Sequence, residues 1–467
     1  MSELKDITKA IDPEFGLVHY VTVHQKPLWF SSVKTALASC SNTRGAIILV
    51  QQELRRESPD QKPKVVPGDS ASKGMGLGFT YEEALMKAIC EGIERHCGGS
   101  IMREKLEIQF GSYATLSEND DLHSPESWKI LENSQYEINN KKKPSADFLS
   151  RLLLLEELTP TTNINWIRLK ELSTGEFRWL PLQVAFLGAG ISDKGTQDEI
   201  AISEPISTGM ACGQTLNDAT LSGIYEVVER DAIMGMWINR INSPRVDFSA
   251  QTIESSRLRR ILKDLDRTEY KIIVNDLTSD FGIPVYFATL LYDDVPYTIV
   301  GAGCHHNPEI AIEKALLEIM MALSVFAQQD ISAEEISADY EIADMHDHAK
   351  IYMFNDLRSR LDFLNNKYVT KIRQQQWRAS SNDEILKFVV KIISENGYKL
   401  YVNDLTTPEV QDLGLFVVKV VIPELLPLNN LHNNTPNGAA RVKRFNQIFG
   451  SKNHLDSELN PWPHPFP

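Results

Sequence analysis

The chain has 467 residues, of which 42% are hydrophobic and 24% charged, a composition that excludes a disordered or fibrous chain and provides ample material for a core. Its formal net charge of −15 argues against a polyanionic partner, because nucleic-acid binders present a basic face; it suits a site where carboxylates gather divalent cations. No run of about eighteen apolar residues predicts a transmembrane helix. The opening residues, Met1 to Asp6, lack the apolar segment of a signal peptide. Five cysteines, Cys40, Cys90, Cys97, Cys212 and Cys304, are odd in number and show no CxxC spacing. They read as reduced, buried thiols of a cytoplasmic protein, with neither a zinc site nor a disulfide framework.

Taken in chain order, the first informative unit is 72–95, SKGMGLGFTYEEALMKAICEGIER. Gly74, Gly76 and Gly78 lead to Thr80, a good helix N-cap, and Thr80 with Glu83 forms a capping box. A glycine-rich approach to a helix N-terminus exposes backbone N–H groups and suits a phosphate, a weak signal when alone. Residues 116–147, with Lys141, Lys142 and Lys143 and little apolar periodicity, read as a surface excursion. Residues 166–184 alternate around Ser173, Thr174 and Gly175 and predict a β-hairpin in which Trp166 and Trp179 pack. The segment 207–230, STGMACGQTLNDATLSGIYEVVER, then repeats 72–95 without gaps at a constant offset of 135, Ser207 against Ser72. A fainter third copy begins at Gly301; it places Glu318 where Glu226 stands and Met321 in place of the second glutamate. His305 and His306 in that copy read as turn or core packing. Finally YKIIVNDLT from Tyr270 is echoed by YKLYVNDLT from Tyr398. Helical patterns precede both and β-rich runs follow, giving helix, strand, Asn-Asp turn, strand, twice over. Echoes spread over most of the chain predict one intertwined α/β domain with internal repeats.

The chemistry lies in the repeated helices. Eleven residues are close to three helical turns, so Glu83 and Glu94 share a face with Glu91 near it. Asp218, Glu226 and Glu229 do the same in the second copy, and Gln214 sits just before the cap. Glu-x-x-Glu-Arg often decorates a solvated helix, and Glu83, Lys87 and Glu91 could be plain surface pairing. The second helix has Ser222 and Tyr225 four positions before its glutamates, so no lysine neutralises them. Two helices that carry like charges at matched positions imply a shared cation. Oxygen ligands point to Mg²⁺, and Arg95 and Arg230 offer forks that match phosphate.

Together, SKGMG…EGIER, STGMACGQT…EVVERDA and GAGCHHNP…AIEKALLE resemble the YcaO family of ATP-dependent enzymes that activate peptide-backbone amides. The resemblance covers about residues 65 to 467. It implies the YcaO fold, with ATP bound between the repeated helices and Mg²⁺ held by Glu91, Glu94, Glu226 and Glu229. It further implies that Gln214 and Asp218 support metal or nucleotide, that Arg230 contacts phosphate, that Ser72 and Lys73 form the first nucleotide-contacting element, and that Lys314 supplies a cation. Gln214 stands where many relatives have Asn, and Asp218 where many have Glu. The chain ends NPWPHPFP, a stiff polyproline-like tail that composition alone would read as a linker or an SH3 ligand. In this family a terminal PxPxP marks azoline-forming cyclodehydratases of thiazole/oxazole-modified peptide (microcin-type) pathways, and the Pro467 carboxylate becomes the candidate general base. The implied organisation is an N-terminal segment (1–64) packing on the core, a catalytic domain (65–455) and a tail (456–467) reaching the active site. The implied reaction converts Cys, Ser or Thr of a ribosomally made precursor peptide to thiazoline or oxazoline by phosphorylating the backbone amide oxygen. The chain has no room for the extra N-terminal domain of fused cyclodehydratases. Expected partners are therefore a ubiquitin-activating-like protein that captures the leader peptide, an FMN-dependent azoline dehydrogenase, and a second copy in a homodimer core. Thioamide or amidine formation at the same ATP site and a non-catalytic peptide-docking scaffold are the competing readings.

Overall fold

In the computed structural model the structure describes residues 11, 17–24, 32–40, 72–99, 106–143, 153–187, 199–248, 253–328, 342, 345–374, 377, 381–449 and 458–466. The strands among them are β1 (Val18–His24), β2 (Lys34–Cys40), β3 (Ser72–Gly78), β4 (Ile108–Ser112), β5 (Asn163–Glu171), β6 (Phe177–Pro181), β7 (Met210–Gly213), β8 (Arg245–Asp247), β9 (Lys271–Asp276), β10 (Val285–Leu291), β11 (Thr298–Cys304), β12 (Val369–Lys371), β13 (Tyr401–Asp404) and β14 (Phe416–Val421). The longer helices are α1 (Tyr81–Gly99), α2 (Asn133–Lys142), α3 (Leu216–Ile238), α4 (Ser256–Leu265), α5 (Pro308–Gln328), α6 (Met345–Phe354), α7 (Asn382–Glu395) and α8 (Ala440–Phe449).

Three sheets result. One has the order β1-β2-β3; a second runs β4-β5-β13-β14-β7, with β6 on the other side of β5; the third runs β11-β10-β9-β8-β12. The α/β class expected from the alternating patterns is the class observed. The strand of each repeat, β3, β7 or β11, is an edge strand of its own sheet, and the helix that follows, α1, α3 or α5, packs on it.

The glycines explain that packing. A Cβ on Gly76 would lie 1.9 Å from the Ala84 carbonyl oxygen, and one on Gly303 would lie 2.0 Å from that of Ala311. Strand and helix backbones therefore touch, which only glycine permits. This corrects the phosphate-loop expectation: the glycines sit inside β-strands and serve close packing. Thr80 does cap α1, since Glu83 N–H donates to its Oγ1 at 3.1 Å. The reciprocal bond is taken one residue earlier than a capping box predicts, Phe79 N–H donating to Glu83 Oε2 at 3.0 Å.

Helix α3 is buried over most of its length, from Ala219 to Ile238, and is the central pillar. Its Ile224, Val228, Ile233 and Trp237 join residues of β10, β11, β14, α7 and α8 in the largest cluster of buried side chains. A second cluster surrounds α1, and a third fills the space between α4, α5 and the β9–β11 strands. The β5–β6 hairpin turns at Gly175, φ +79°, with Trp166 buried and donating to Gly111 O. The Tyr270 and Tyr398 echoes are real repeats. Asp276 Oδ1 accepts from Thr278 N–H at 2.9 Å and Asp404 Oδ1 from Thr406 N–H at 3.0 Å, matching Asx turns at matching strand ends.

Residues 116–143 are a packed segment rather than a surface excursion. Gln135 Nε2 donates to Asn433 O and Thr435 O, and Asn139 Nδ2 donates to Leu155 O. Buried amides anchor this stretch, so apolar periodicity could not reveal it. Cys90, Cys97, Cys212 and Cys304 are free thiols; the Cys40 side chain lies outside the described ones. Among the described residues no helix is long and apolar enough to cross a membrane.

Candidate active site

An edge strand leaves backbone N–H groups without a ladder partner. In the first and third repeats a glutamate from the following helix takes one of them, and in the second it takes the N–H just before the strand. Met75 N–H donates to Glu91 Oε2 at 2.8 Å, Gly209 N–H to Glu226 Oε2 at 3.2 Å and Ala302 N–H to Glu318 Oε2 at 2.8 Å. Glu94 crosses between repeats, its Oε1 accepting from Cys212 N–H on β7 at 2.8 Å. This bond locks the first repeat to the second and brings the carboxylates of α1 and α3 together.

The cluster holds more acid than its cations neutralise. Burial, with the charges of Glu91 and Glu226, pushes Glu94 well above the usual carboxylate range. Burial also raises Glu226, against the pull of Arg230. Burial and the neighbouring Glu229 push Glu318 up to about 7. Behind them Lys419, buried and donating to Ile206 O at 2.7 Å, is drawn down to about 8 by burial while the charge of Glu226 opposes the shift.

Arg230 is the complementary feature. Its Nη2 lies 3.7 Å from Glu226 Oε1 and its Nε 3.9 Å from Glu229 Oε1, ion pairs too long to be hydrogen bonds. Its Nε and Nη1 are buried with no hydrogen-bond partner, and buried donors are normally satisfied. The ring of Phe466, from the C-terminal segment, covers the guanidinium at 4.4 Å. Uncompensated, partly buried carboxylates beside unspent guanidinium donors fit a divalent cation together with a phosphate. Among the described residues the acids do not close into an all-protein metal cage. Mg²⁺ takes one or two carboxylates and completes its shell with substrate phosphates and water.

Of the expected site residues, Glu91, Glu94, Glu226, Glu229 and Arg230 converge. Asp218 is occupied elsewhere: it accepts from Thr215 Oγ1 at 2.7 Å and from Asn382 Nδ2 at 2.8 Å, about 12 Å along α3 from Glu226 at 1.5 Å per residue. It braces Thr215, the N-cap of α3, and ties α3 to α7. Gln214 is exposed just before that cap. Lys314 stands one turn before Glu318, its Nζ 3.3 Å from Cys304 O. Ser72 and Lys73 pair through their main chains with Cys40 and Ser39; their side chains lie outside the described ones. Pro467 lies outside the described residues. Glu83 serves another network, held at about 2 because Arg257, Lys87 and the Phe79 N–H outweigh its burial. His306 Nδ1 meets the Tyr225 hydroxyl at 2.7 Å, and burial holds His305 down to about 3, as neutral packed rings. A cavity of about 580 Å³ lined by Leu172, Leu386 and Val390 shares no residue with this cluster.

Glu318, Lys419 and Phe466 lie beside this cluster and are not among the expected site residues. The alignment of Glu318 with Glu226 in the third repeat is the signal for the first, and the expected reach of the 456–467 tail into the site is the signal for Phe466; Lys419 carries none.

Three helices of one repeat, converging acids and a guanidinium with free donors have the chemistry that a nucleotide with magnesium requires. The chain belongs to the YcaO family: the family model described as YcaO cyclodehydratase, ATP- and Mg²⁺-binding, matches residues 75–426. ATP and Mg²⁺ are the cofactors this membership assigns. Three solved structures share the fold. A heterocyclase in complex with substrate and cofactor has a TM-score of 0.73 at 21% identity, covering 99% of this chain and 57% of that one. The Methanopyrus kandleri YcaO bound with AMPPCP and Mg²⁺ has 0.61 at 16% identity, covering 91% and 90%. The E. coli microcin synthetase McbBCD complex has 0.55 at 14% identity, covering 95% and 96%. The chain spans about half the length of the curated relatives it matches, 55% of an uncharacterized protein from Methanothermobacter thermautotrophicus to which it is 25% identical over 225 residues.

Proposed function

We propose that this protein is the ATP-dependent cyclodehydratase subunit that converts Cys, Ser or Thr of a ribosomally made precursor peptide to thiazoline or oxazoline. The observation that carries the reading is Arg230, with two unpartnered buried donors between the carboxylates and the tail residue Phe466. An amide oxygen leaves poorly, and ATP with Mg²⁺ supplies the phosphoryl group that makes it a leaving group. Glu91, Glu94, Glu226 and Glu229 would hold the cation, with Glu318 alongside. Arg230 would orient the phosphate through Nε and Nη1. Phe466 keeps water from the guanidinium and strengthens its field. The Pro467 carboxylate, next in the chain, is the proposed general base that takes the proton of the attacking side chain. The peptide reaches the site with a leader-binding, ubiquitin-activating-like partner, and an FMN-dependent dehydrogenase would aromatise the rings. Support for partners comes from the microcin synthetase, a complex with this fold among its parts.

The test is mass spectrometry of a Cys- and Ser-containing precursor peptide incubated with this chain, the partner and Mg·ATP. Ring formation removes one water per residue modified. Exchange of oxygen for sulfur would mean thioamide chemistry instead. Unchanged yield from the Glu226→Ala, Glu229→Ala double variant would mean a scaffold.

A further inference from the structure

The C-terminal segment is gripped by side chains that the site chemistry does not use. Asn460 N–H donates to Ile238 O, Trp237 Nε1 to Trp462 O at 2.9 Å, and the Tyr352 hydroxyl to Pro463 O at 2.7 Å. His348, buried on α6, makes a different kind of contact. Its Nδ1 lies 3.1 Å from His464 O and its Nε2 3.1 Å from Asn430 O. Both partners are carbonyl oxygens and can only accept. A neutral imidazole has one N–H and one lone pair, so it would satisfy one carbonyl and set lone pair against lone pair at the other. Only the imidazolium donates to both. The His464 ring stacks on that of His348 at 3.8 Å and 5°. Burial and the charge of His348 hold His464 well below its usual range.

We propose that protonated His348 latches the C-terminal tail, so that seating Phe466 on Arg230 takes up one proton. The inference rests on the reading that this tail completes the active site. The titratable and charged groups around the latch are Asp347 and Tyr352 on its own helix, His464 on the tail, His432 and Arg360 beside the tail, and Glu204 behind Asn430. Burial raises Glu204 to about 7, and it accepts the Asn430 and Leu431 N–H groups. Ionising Glu204 strengthens those bonds, so it tightens the loop as pH rises. A tail that loosens with rising pH is therefore the signature of His348. Because the seated state binds one more proton than the released state, release grows by up to about tenfold per pH unit between the titration of His348 in the released tail and its titration in the seated one, and levels off above the latter.

The experiment is hydrogen exchange by mass spectrometry on the full chain, without nucleotide or peptide, following 458–466 across the neutral and alkaline range with intrinsic rates corrected. Protection in the wild type should fall by up to about tenfold per pH unit. His348→Gln should show weak protection that does not change with pH. His464→Phe, which keeps the stack and removes the other imidazole, should retain the wild-type slope. Protection that stays flat or rises with pH in the wild type overturns the latch, as does an unchanged slope in His348→Gln. If His348→Gln does not fold, the wild-type and His464→Phe slopes decide. Ring formation is assayed on the same preparations. A missing slope with intact ring formation removes the latch alone, while absent ring formation with the slope intact removes the active-site reading.

Discussion

Replacing Arg230 by Met is expected to lower ATP-dependent turnover by on the order of a thousandfold, in the range for a cation that stabilises a transferring phosphoryl group. Met keeps the side-chain bulk beneath Phe466 but removes both unspent donors, Nε and Nη1. It also removes the nearest positive charge from Glu226 and Glu229, whose neighbourhood already holds excess acid. Because the lost hydrogen bonds are to ligand and not to protein, the fold should survive. Steady-state phosphate release and a thermal melt on the same sample check both halves. A variant that melts like the wild type and turns over at its rate would remove Arg230 from the site.

The second large effect is on stability. Arg441→Met should cost about 3–5 kcal/mol, the usual result of removing one partner from a buried ion pair. The Arg441 guanidinium has no exposed side-chain surface and grips two acids. Its Nε and Nη2 donate to Asp231, its Nη1 and Nη2 to Asp280, and Nη1 also to the Tyr398 hydroxyl. Without it Asp231, fully enclosed, would keep only the Leu426 N–H. Asp231 follows Arg230 directly, so the same grip fixes where α3 presents Arg230. Urea unfolding should show a midpoint shift that takes a large share of the roughly 5–15 kcal/mol typical of a folded protein. A loss below about 1 kcal/mol would show that the interior relaxes around the bare acids.

How much of this was readable beforehand follows from what a repeat encodes. The constant offset between 72–95 and 207–230 placed Glu91 against Glu226 and Glu94 against Glu229, and the fold brings those helices together through the Glu94 to Cys212 bond. The same pattern misled at Gly74, Gly76 and Gly78. A glycine inside a strand that packs on a helix and a glycine in a phosphate loop look alike in one dimension. Asp218 shares a face with Glu229 eleven positions on, and its side chain bonds Thr215 and Asn382; spacing alone does not tell such a bracing role from a ligand role. Residues 116–143 were missed because buried amides hold them, and amides carry no hydrophobic period. Lys419, Arg441 and Phe466 meet α3 only through tertiary contacts more than 180 positions away, which no local spacing reports.

The most direct test of the central claim, that α1 and α3 form the walls of one Mg²⁺–nucleotide cleft, is calorimetric titration with a non-hydrolysable ATP analogue. It should be run with and without Mg²⁺, on the wild type and on the Glu226→Gln, Glu229→Gln double variant. The account predicts tight binding only in the wild type with Mg²⁺, and loss of the Mg²⁺ dependence in the variant with the fold retained. Equal, Mg²⁺-dependent binding by both proteins would contradict it.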